Sequence, residues 1–151
     1  MSIKDELFYS PKNAYDRMSE AELAECYAYA EAYKKYLTAA KTERLAVSEA
    51  IKLAEAKGFK PFEFGKTYAP GDKVYDNNRG KALTLAVIGK KDISEGINFV
   101  IAHVDSPRLD LKANPLYEDS DMALLKTHYY GGIKKYQWMT IPLAIHGVIY
   151  N

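Results

Sequence analysis

The sequence has little that would tie it to an oxidising compartment, a membrane or an anionic partner. Its single cysteine, Cys26, excludes a disulfide within the chain and is typical of a reducing compartment. No apolar run reaches the roughly 18 to 20 residues that a membrane-spanning helix needs, and residues 1–9 lack the apolar core of a secretory signal. A net charge of +1 gives no electrostatic reason to expect nucleic acid or a membrane surface as a partner. We therefore expect a cytoplasmic protein.

The composition is that of an ordinary soluble domain, and the first part of the chain predicts two helices. The 151 residues are 48% hydrophobic and 27% charged. Ser19 and Glu22 have the spacing of a capping box, and apolar residues follow them at helical intervals. Cys26 lies on that helix, where we interpret it as a packing residue. Thr42 is predicted to cap a second helix, which a lysine and Gly58 would close.

Apolar and alternating runs predict strands from residue 73 onwards. The clearest are residues 82–89 and 97–104, whose charged, hairpin-like connection predicts that they are antiparallel neighbours. Residues 109–112 alternate between apolar and charged side chains, as a half-exposed strand does. Further strands are predicted at residues 124–130 and within 137–150. Helices followed by such strands predict an α/β fold. The composition of the sequence changes near Asn114 and Pro115.

The run at residues 97–104 ends in the candidate active site. A continuous apolar run between Gly96 and Pro107 is typical of a strand buried on both faces, as in a parallel or mixed sheet. His103 and Asp105 lie at its carboxyl end, where open α/β sheets collect their chemistry, and alternation points both side chains the same way. A neutral imidazole can bind a metal, and a carboxylate two residues on can orient it. The alternative to a metal site is that His103 and Asp105 only form a structural hydrogen bond at a strand end.

The other histidines and a short acidic cluster have simpler interpretations. His128 and His146 are predicted to be strand-surface residues, although His128 could edge a substrate pocket. The acidic cluster lacks the ligand spacing and the glycine of a calcium loop, so a solvated turn is the favoured interpretation. Its members are Glu118, Asp119 and Asp121.

A set of motifs in this order resembles one enzyme family. The motifs are His103-Val104-Asp105-Ser106-Pro107, a lysine at 112, Tyr130-Gly131-Gly132 with Trp138, and the strand and its approach at residues 79–89. Together they resemble the aspartyl aminopeptidase/aminopeptidase I family of dinuclear zinc exopeptidases, especially its bacterial members. The resemblance runs from the helices to the end of the chain and covers about the first third of a typical member.

The resemblance implies an architecture and an assembly. Residues 1–112 would form the amino-terminal part of a catalytic domain built as a mixed-sheet α/β sandwich. Residues 113–151 would begin an inserted, β-rich dimerisation domain. Family members form large homo-oligomers, typically dodecamers. The apolar, strand-forming stretch at residues 147–150 adds the expectation that the chain is cut short.

The resemblance also assigns the two site residues. His103 matches the histidine that binds one of two zinc ions, and Asp105 matches the aspartate that orients it and supports the catalytic centre. Val104 stands where many relatives carry threonine. The other ligands and a general-base glutamate belong beyond residue 151, so the 151 residues alone are expected to be inactive. The implied function is removal of amino-terminal residues from peptides; the alternative is a non-catalytic binding or assembly module.

Overall fold

The computed structural model describes Ile3 and residues 7–150. The chain forms two compact units, residues 1–38 and residues 39–151. The stretch on which the signal-sequence expectation rests, residues 1–9, falls partly outside the described residues. None of the helices that the structure describes is both long and apolar enough to span a bilayer.

A 3₁₀ turn at Ala14–Asp16 precedes helix α1, Glu20–Ala39. The predicted capping box is present: the Ser19 N–H donates to Glu22 Oε2 at 2.8 Å, and the Glu22 N–H donates to Ser19 Oγ at 3.3 Å. The hydrogen bonds that the Ser19 N–H and hydroxyl donate to the Glu22 carboxylate lower the pKa of that carboxyl. No residue of α1 is fully buried, and Cys26 is half-buried.

Helix α2, Glu43–Ala56, begins and ends where the sequence predicts. Thr42 Oγ1 accepts a hydrogen bond from the Leu45 N–H at 3.3 Å, which satisfies one of the unpaired donors of the first turn. Lys57 closes the helix, and Gly58 follows with φ +86°, a conformation that favours glycine. The helix packs on two strands of the sheet. The buried apolar residues of the described chain are Ala46, Val47, Ala54 and Val74.

The sheet beneath α2 has three strands in the order β1 (Lys60–Pro61), β2 (Lys73–Asn78) and β3 (Ala82–Val87). Strand β1 is parallel to β2, and β2 is antiparallel to β3. The sheet is therefore mixed, and the predicted α/β fold with a mixed sheet is confirmed.

Residues 97–104 are not a strand, so the prediction of an interior strand beside residues 82–89 is wrong. After a 3₁₀ turn at Ile93–Glu95, the chain runs without regular secondary structure until residue 108. Val100 is 100% exposed and Ile101 is 88% exposed. A strand with apolar side chains on both faces is stable only when other elements cover both faces. No element of the described chain covers this segment or pairs with the free edge of β3.

Strands β4 (Arg108–Asp119) and β5 (Met122–Tyr130) form a long antiparallel hairpin, and they include the strands predicted at residues 109–112 and 124–130. Ser120 and Asp121 turn the chain with φ of 54° and 60°. The acidic cluster lies at this exposed tip, in agreement with its interpretation as a solvated turn. The register shifts between Leu111 and Leu116, within the stretch where the domain boundary is predicted. The boundary itself stays a prediction.

The strands predicted within residues 137–150 are absent. Helix α3, Lys135–Trp138, occupies the start of this stretch, and residues 139–150 contain no helix or strand. Ile149 is 90% exposed. Pro142 offers no N–H to a ladder, and in the described part of the chain no strand edge accepts these residues.

Candidate active site

His103 and Asp105 lie where the chain enters the β4–β5 hairpin, because β4 begins at Arg108. His103 Nδ1 is 3.1 Å from Asp105 Oδ1 and 2.9 Å from the Asp105 carbonyl oxygen. An ionised carboxylate and a carbonyl can only accept hydrogen bonds, so Nδ1 must carry the hydrogen and donate it. In the neutral ring the lone pair is then on Nε2. The predicted pairing of His103 with Asp105 is present without the predicted strand.

Tyr130 secures the other oxygen of the carboxylate. Its hydroxyl donates to Asp105 Oδ2 at 2.6 Å. This bond is the main reason why the pKa of the Asp105 carboxyl lies below its usual range, and the hydrogen bond from His103 lowers it further. The same contact raises the pKa of the Tyr130 hydroxyl. Asp105 is therefore ionised at neutral pH, the state in which it accepts both bonds.

The Arg108 guanidinium lies over the face of the Tyr130 ring and helps to hold it in place. Its guanidinium carbon lies 4.1 Å from the ring centroid, within the range of a cation–π interaction. Arg108 Nε donates to Asp110 Oδ1 at 2.7 Å, and Nη1 lies 3.2 Å from Glu43 Oε1 at the start of α2. The pKa of Arg108 is raised, chiefly by the bond to Asp110. The guanidinium thus ties α2, β4 and β5 together beside the His103–Asp105 pair.

Gly131 packs against Pro107 at the open end of the hairpin. It has φ +77°, and a Cβ added there would lie 3.3 Å from two Pro107 atoms. The first glycine after Tyr130 therefore has both a conformational and a packing requirement. The contact between Gly131 and Pro107 therefore joins the Tyr-Gly-Gly motif to the end of the His-Val-Asp-Ser-Pro motif.

Gly131→Ala is expected to lower stability by about 1–2 kcal/mol, because an L residue is strained at this φ and its methyl group meets Pro107. Gly132→Ala is the matched control, since nothing lies within 4 Å of a Cβ added there and its φ is not positive. Thermal melting followed by circular dichroism should show a lower midpoint for Gly131→Ala than for Gly132→Ala. Equal midpoints would contradict the packing described here.

The donor set fits one position of a metal site. The His103 side chain is 81% exposed, and no described group hydrogen-bonds Nε2. A histidine that gives its Nδ1–H to a carboxylate and presents Nε2 outward is the arrangement that zinc-binding histidines adopt. Residues 7–150 nevertheless hold no cluster of three or more histidine, cysteine, aspartate or glutamate residues that could bind an ion. The described chain therefore offers one ligand with its orienting carboxylate.

The other histidines are not brought to His103. His128 lies on β5, paired in register with Asp110, and its ring stacks on that of Tyr129 with centroids 5.1 Å apart. His146 lines an open groove of about 840 Å³ between the start of α2, the hairpin and residues 143–148. Neither joins His103 in a cluster of metal-binding side chains within the described residues.

Sequence reasoning missed the two residues that hold the pair in place, Tyr130 and Arg108. Tyr130 belongs to a motif used for the family resemblance, but no role was predicted for it. The sequence feature that could have indicated a role for Tyr130 is its position at a predicted strand end, immediately before two glycines. The contact with Asp105 also needs the β4–β5 register, which pairs Arg108 with Tyr130.

The mixed-sheet α/β chain presents one carboxylate-oriented histidine just before a strand, in the arrangement that zinc-binding histidines adopt. The sequence profile of the aminopeptidase I zinc metalloproteases (M18) matches residues 36–151. The chain belongs to this family.

Individual relatives show the same likeness in sequence and in structure. A probable M18 family aminopeptidase 1 of Clostridium acetobutylicum is 52% identical, over 97% of this chain and 32% of the relative. The crystal structure of aminopeptidase I from that organism matches with a TM-score of 0.78 and 51% identity, over 96% of this chain and 33% of the other. The crystal structure of aminopeptidase I from Borrelia burgdorferi matches with a TM-score of 0.82 and 41% identity, over 87% of this chain and 32% of the other. The chain spans about a third of the length of the relatives that it matches.

Proposed function

We propose that the protein acts as a zinc-dependent aminopeptidase that hydrolyses amino-terminal residues from peptides. The observation that carries this proposal is the orientation of His103, whose Nδ1–H is held by Asp105 while Nε2 points away with its lone pair. Membership of a family of zinc metalloproteases supports zinc as the metal that this nitrogen binds.

The residues of this chain would hold the metal rather than perform the proton transfers. His103 supplies a neutral nitrogen ligand through Nε2. Asp105 holds the ring in the tautomer that leaves this nitrogen unprotonated. Zinc, when bound, supplies a Lewis acid that polarises a carbonyl and lowers the pKa of a bound water.

A complete site needs groups beyond the described residues. A catalytic zinc takes three protein ligands, and a two-metal site takes more. We propose two zinc ions per site, with the further ligands and a general-base glutamate supplied from positions beyond residue 151. The support is the family resemblance together with a chain that spans about a third of its relatives' length.

The same resemblance supports the proposals on domain organisation and assembly. Residues 1–112 would belong to the catalytic domain and residues 113–151 to the start of an inserted dimerisation domain, with the whole protein a homo-oligomer, typically a dodecamer. The single cysteine supports a cytoplasmic location. Neither composition nor charge supports a nucleic-acid or membrane partner.

Metal removal tests the proposal on the whole protein. The purified protein should carry zinc by elemental analysis and should release amino acids from peptides with a free amino terminus. Dialysis against a chelator should abolish this activity, and added zinc should restore it. The same peptides with an acetylated amino terminus are the control, because an aminopeptidase does not cleave them. A protein that binds no zinc and cleaves neither substrate would favour the non-catalytic module.

A further inference from the structure

Tyr130 is 25 residues from Asp105 in the chain, yet it makes the contact that fixes the carboxylate. The carboxylate has two oxygens, and each has one side-chain partner: His103 Nδ1 at Oδ1 and the Tyr130 hydroxyl at Oδ2. Rotation of the Asp105 side chain away from His103 would break both bonds. The tyrosine hydroxyl therefore restricts the carboxylate to the rotamer that accepts from the imidazole.

The tyrosine is itself fixed from two sides. Arg108 lies over its ring and is held by ion pairs with Asp110 and Glu43. On the chain side, Tyr130 pairs with Arg108 across the hairpin, and Gly131 packs on Pro107. Its position thus depends on the hairpin register, on α2 through Arg108 and Glu43, and on the contact of Gly131 with Pro107.

We propose that Tyr130 is a positioning residue for the metal site, acting through Asp105 on the imidazole of His103. The inference rests on the proposed function, because it assumes that Nε2 of His103 binds zinc. It goes beyond that function by assigning the tyrosine of the Tyr-Gly-Gly motif to support of the ligand. The chemical reason is that a fixed carboxylate keeps the hydrogen on Nδ1 and the lone pair on Nε2.

Tyr130→Phe isolates the hydroxyl, because phenylalanine keeps the ring under Arg108. Tyr129→Phe is the matched control: it removes the hydroxyl of the neighbouring tyrosine, whose ring contacts are with His128 and Lys135. The measurement is the zinc affinity of the metal-free whole protein, by competition with a chromophoric chelator. We expect Tyr130→Phe to weaken zinc binding by about 10- to 100-fold, as loss of a group supporting a ligand does. Tyr129→Phe should stay within about twofold of wild type.

A double-mutant cycle separates positioning from a general structural role. In an Asp105→Ala background the tyrosine has no carboxylate to hold, so adding Tyr130→Phe should change zinc affinity by less than about twofold. A structural effect of the tyrosine would instead persist in that background. Peptidase assays should show the loss in kcat with KM little changed, because the residue does not touch the substrate in this inference.

The outcomes distinguish this inference from the proposed function. The positioning role is overturned if Tyr130→Phe binds zinc as tightly as wild type, or if its effect adds fully to that of Asp105→Ala. In either case, loss of zinc in His103→Ala would still support the proposed enzyme. A wild-type protein with no zinc affinity would overturn the proposed function and this inference with it. Loss in Tyr130→Phe that vanishes in the Asp105→Ala background supports both.

Discussion

His103→Ala in the whole protein is expected to abolish peptidase turnover and to lower the zinc content. The substitution removes the nitrogen that the structure presents outward, and no described side chain lies close enough to replace it as part of a metal-binding cluster. Elemental analysis and a peptide-release assay on the same preparation measure both effects. His128→Ala is the matched control, since that histidine stacks on Tyr129 and has no hydrogen bond to His103 or Asp105, and it should stay within about twofold of wild type.

Asp105→Asn should give a smaller and different loss. An asparagine keeps the size of the side chain but replaces the charged acceptor with a neutral amide, so the tautomer of the imidazole is less firmly held. We expect turnover to fall by about 10- to 100-fold with the fold intact by circular dichroism. Unchanged turnover and zinc content in His103→Ala would remove the metal assignment; a normal Asp105→Asn enzyme would remove only the orienting role.

The features that were predictable from the sequence are those set by neighbours in the chain. The start of α1 at the Ser19–Glu22 capping box, and the start and end of α2 at Thr42 and Gly58, each depend on hydrogen bonds or backbone conformations within four residues. The His103–Asp105 pair is also local, because only Val104 lies between the two residues that bond. The hydrogen bond between the two residues is present although the strand proposed to carry it is absent, and their roles in a metal site stay a prediction.

The features that were not predictable depend on distant parts of the chain. Whether residues 97–104 form a strand depends on neighbouring strands to pair with and on other elements that pack on both faces. The apolar pattern shows that these are needed but does not show whether they are present. The bond from Tyr130 to Asp105 follows from a hairpin register that joins Arg108 to Tyr130. No role was predicted for Arg108, which precedes the predicted strand at residues 109–112. Its contacts with the Tyr130 ring and with Glu43 join parts of the chain that are far apart in sequence.

The 151-residue polypeptide, made alone, is expected to self-associate and to show no peptidase activity. The buried apolar residues among those described are two alanines and two valines, from α2 and β2. In contrast, the segment at residues 97–104 exposes Phe99 by 74% and Val100 completely, and the segment at 139–150 is also largely exposed. Transfer of such surface out of water is favourable, and contact between copies achieves it.

Charge placed in the exposed segment tests the cause of association. The double substitution Val100→Glu and Ile101→Lys should shift the polypeptide toward monomer in size-exclusion chromatography with light scattering, because both side chains would have to be desolvated on contact. Phe64→Glu is the matched control: that side chain is also 100% exposed but stands in a separate loop. An equal shift in both variants would show that association does not depend on residues 97–104.

Activity of the same polypeptide tests the incomplete donor set independently of its solution state. One histidine with an orienting carboxylate binds zinc weakly and leaves most of the coordination sphere to water, so neither a polarised carbonyl nor a positioned nucleophile results. We therefore expect no release of amino acids from peptides with added zinc, cobalt or manganese, in the self-associating form and in the charged variant alike. A monomeric polypeptide that turned over substrate would contradict this expectation, because catalysis would then need a complete metal site within these 151 residues.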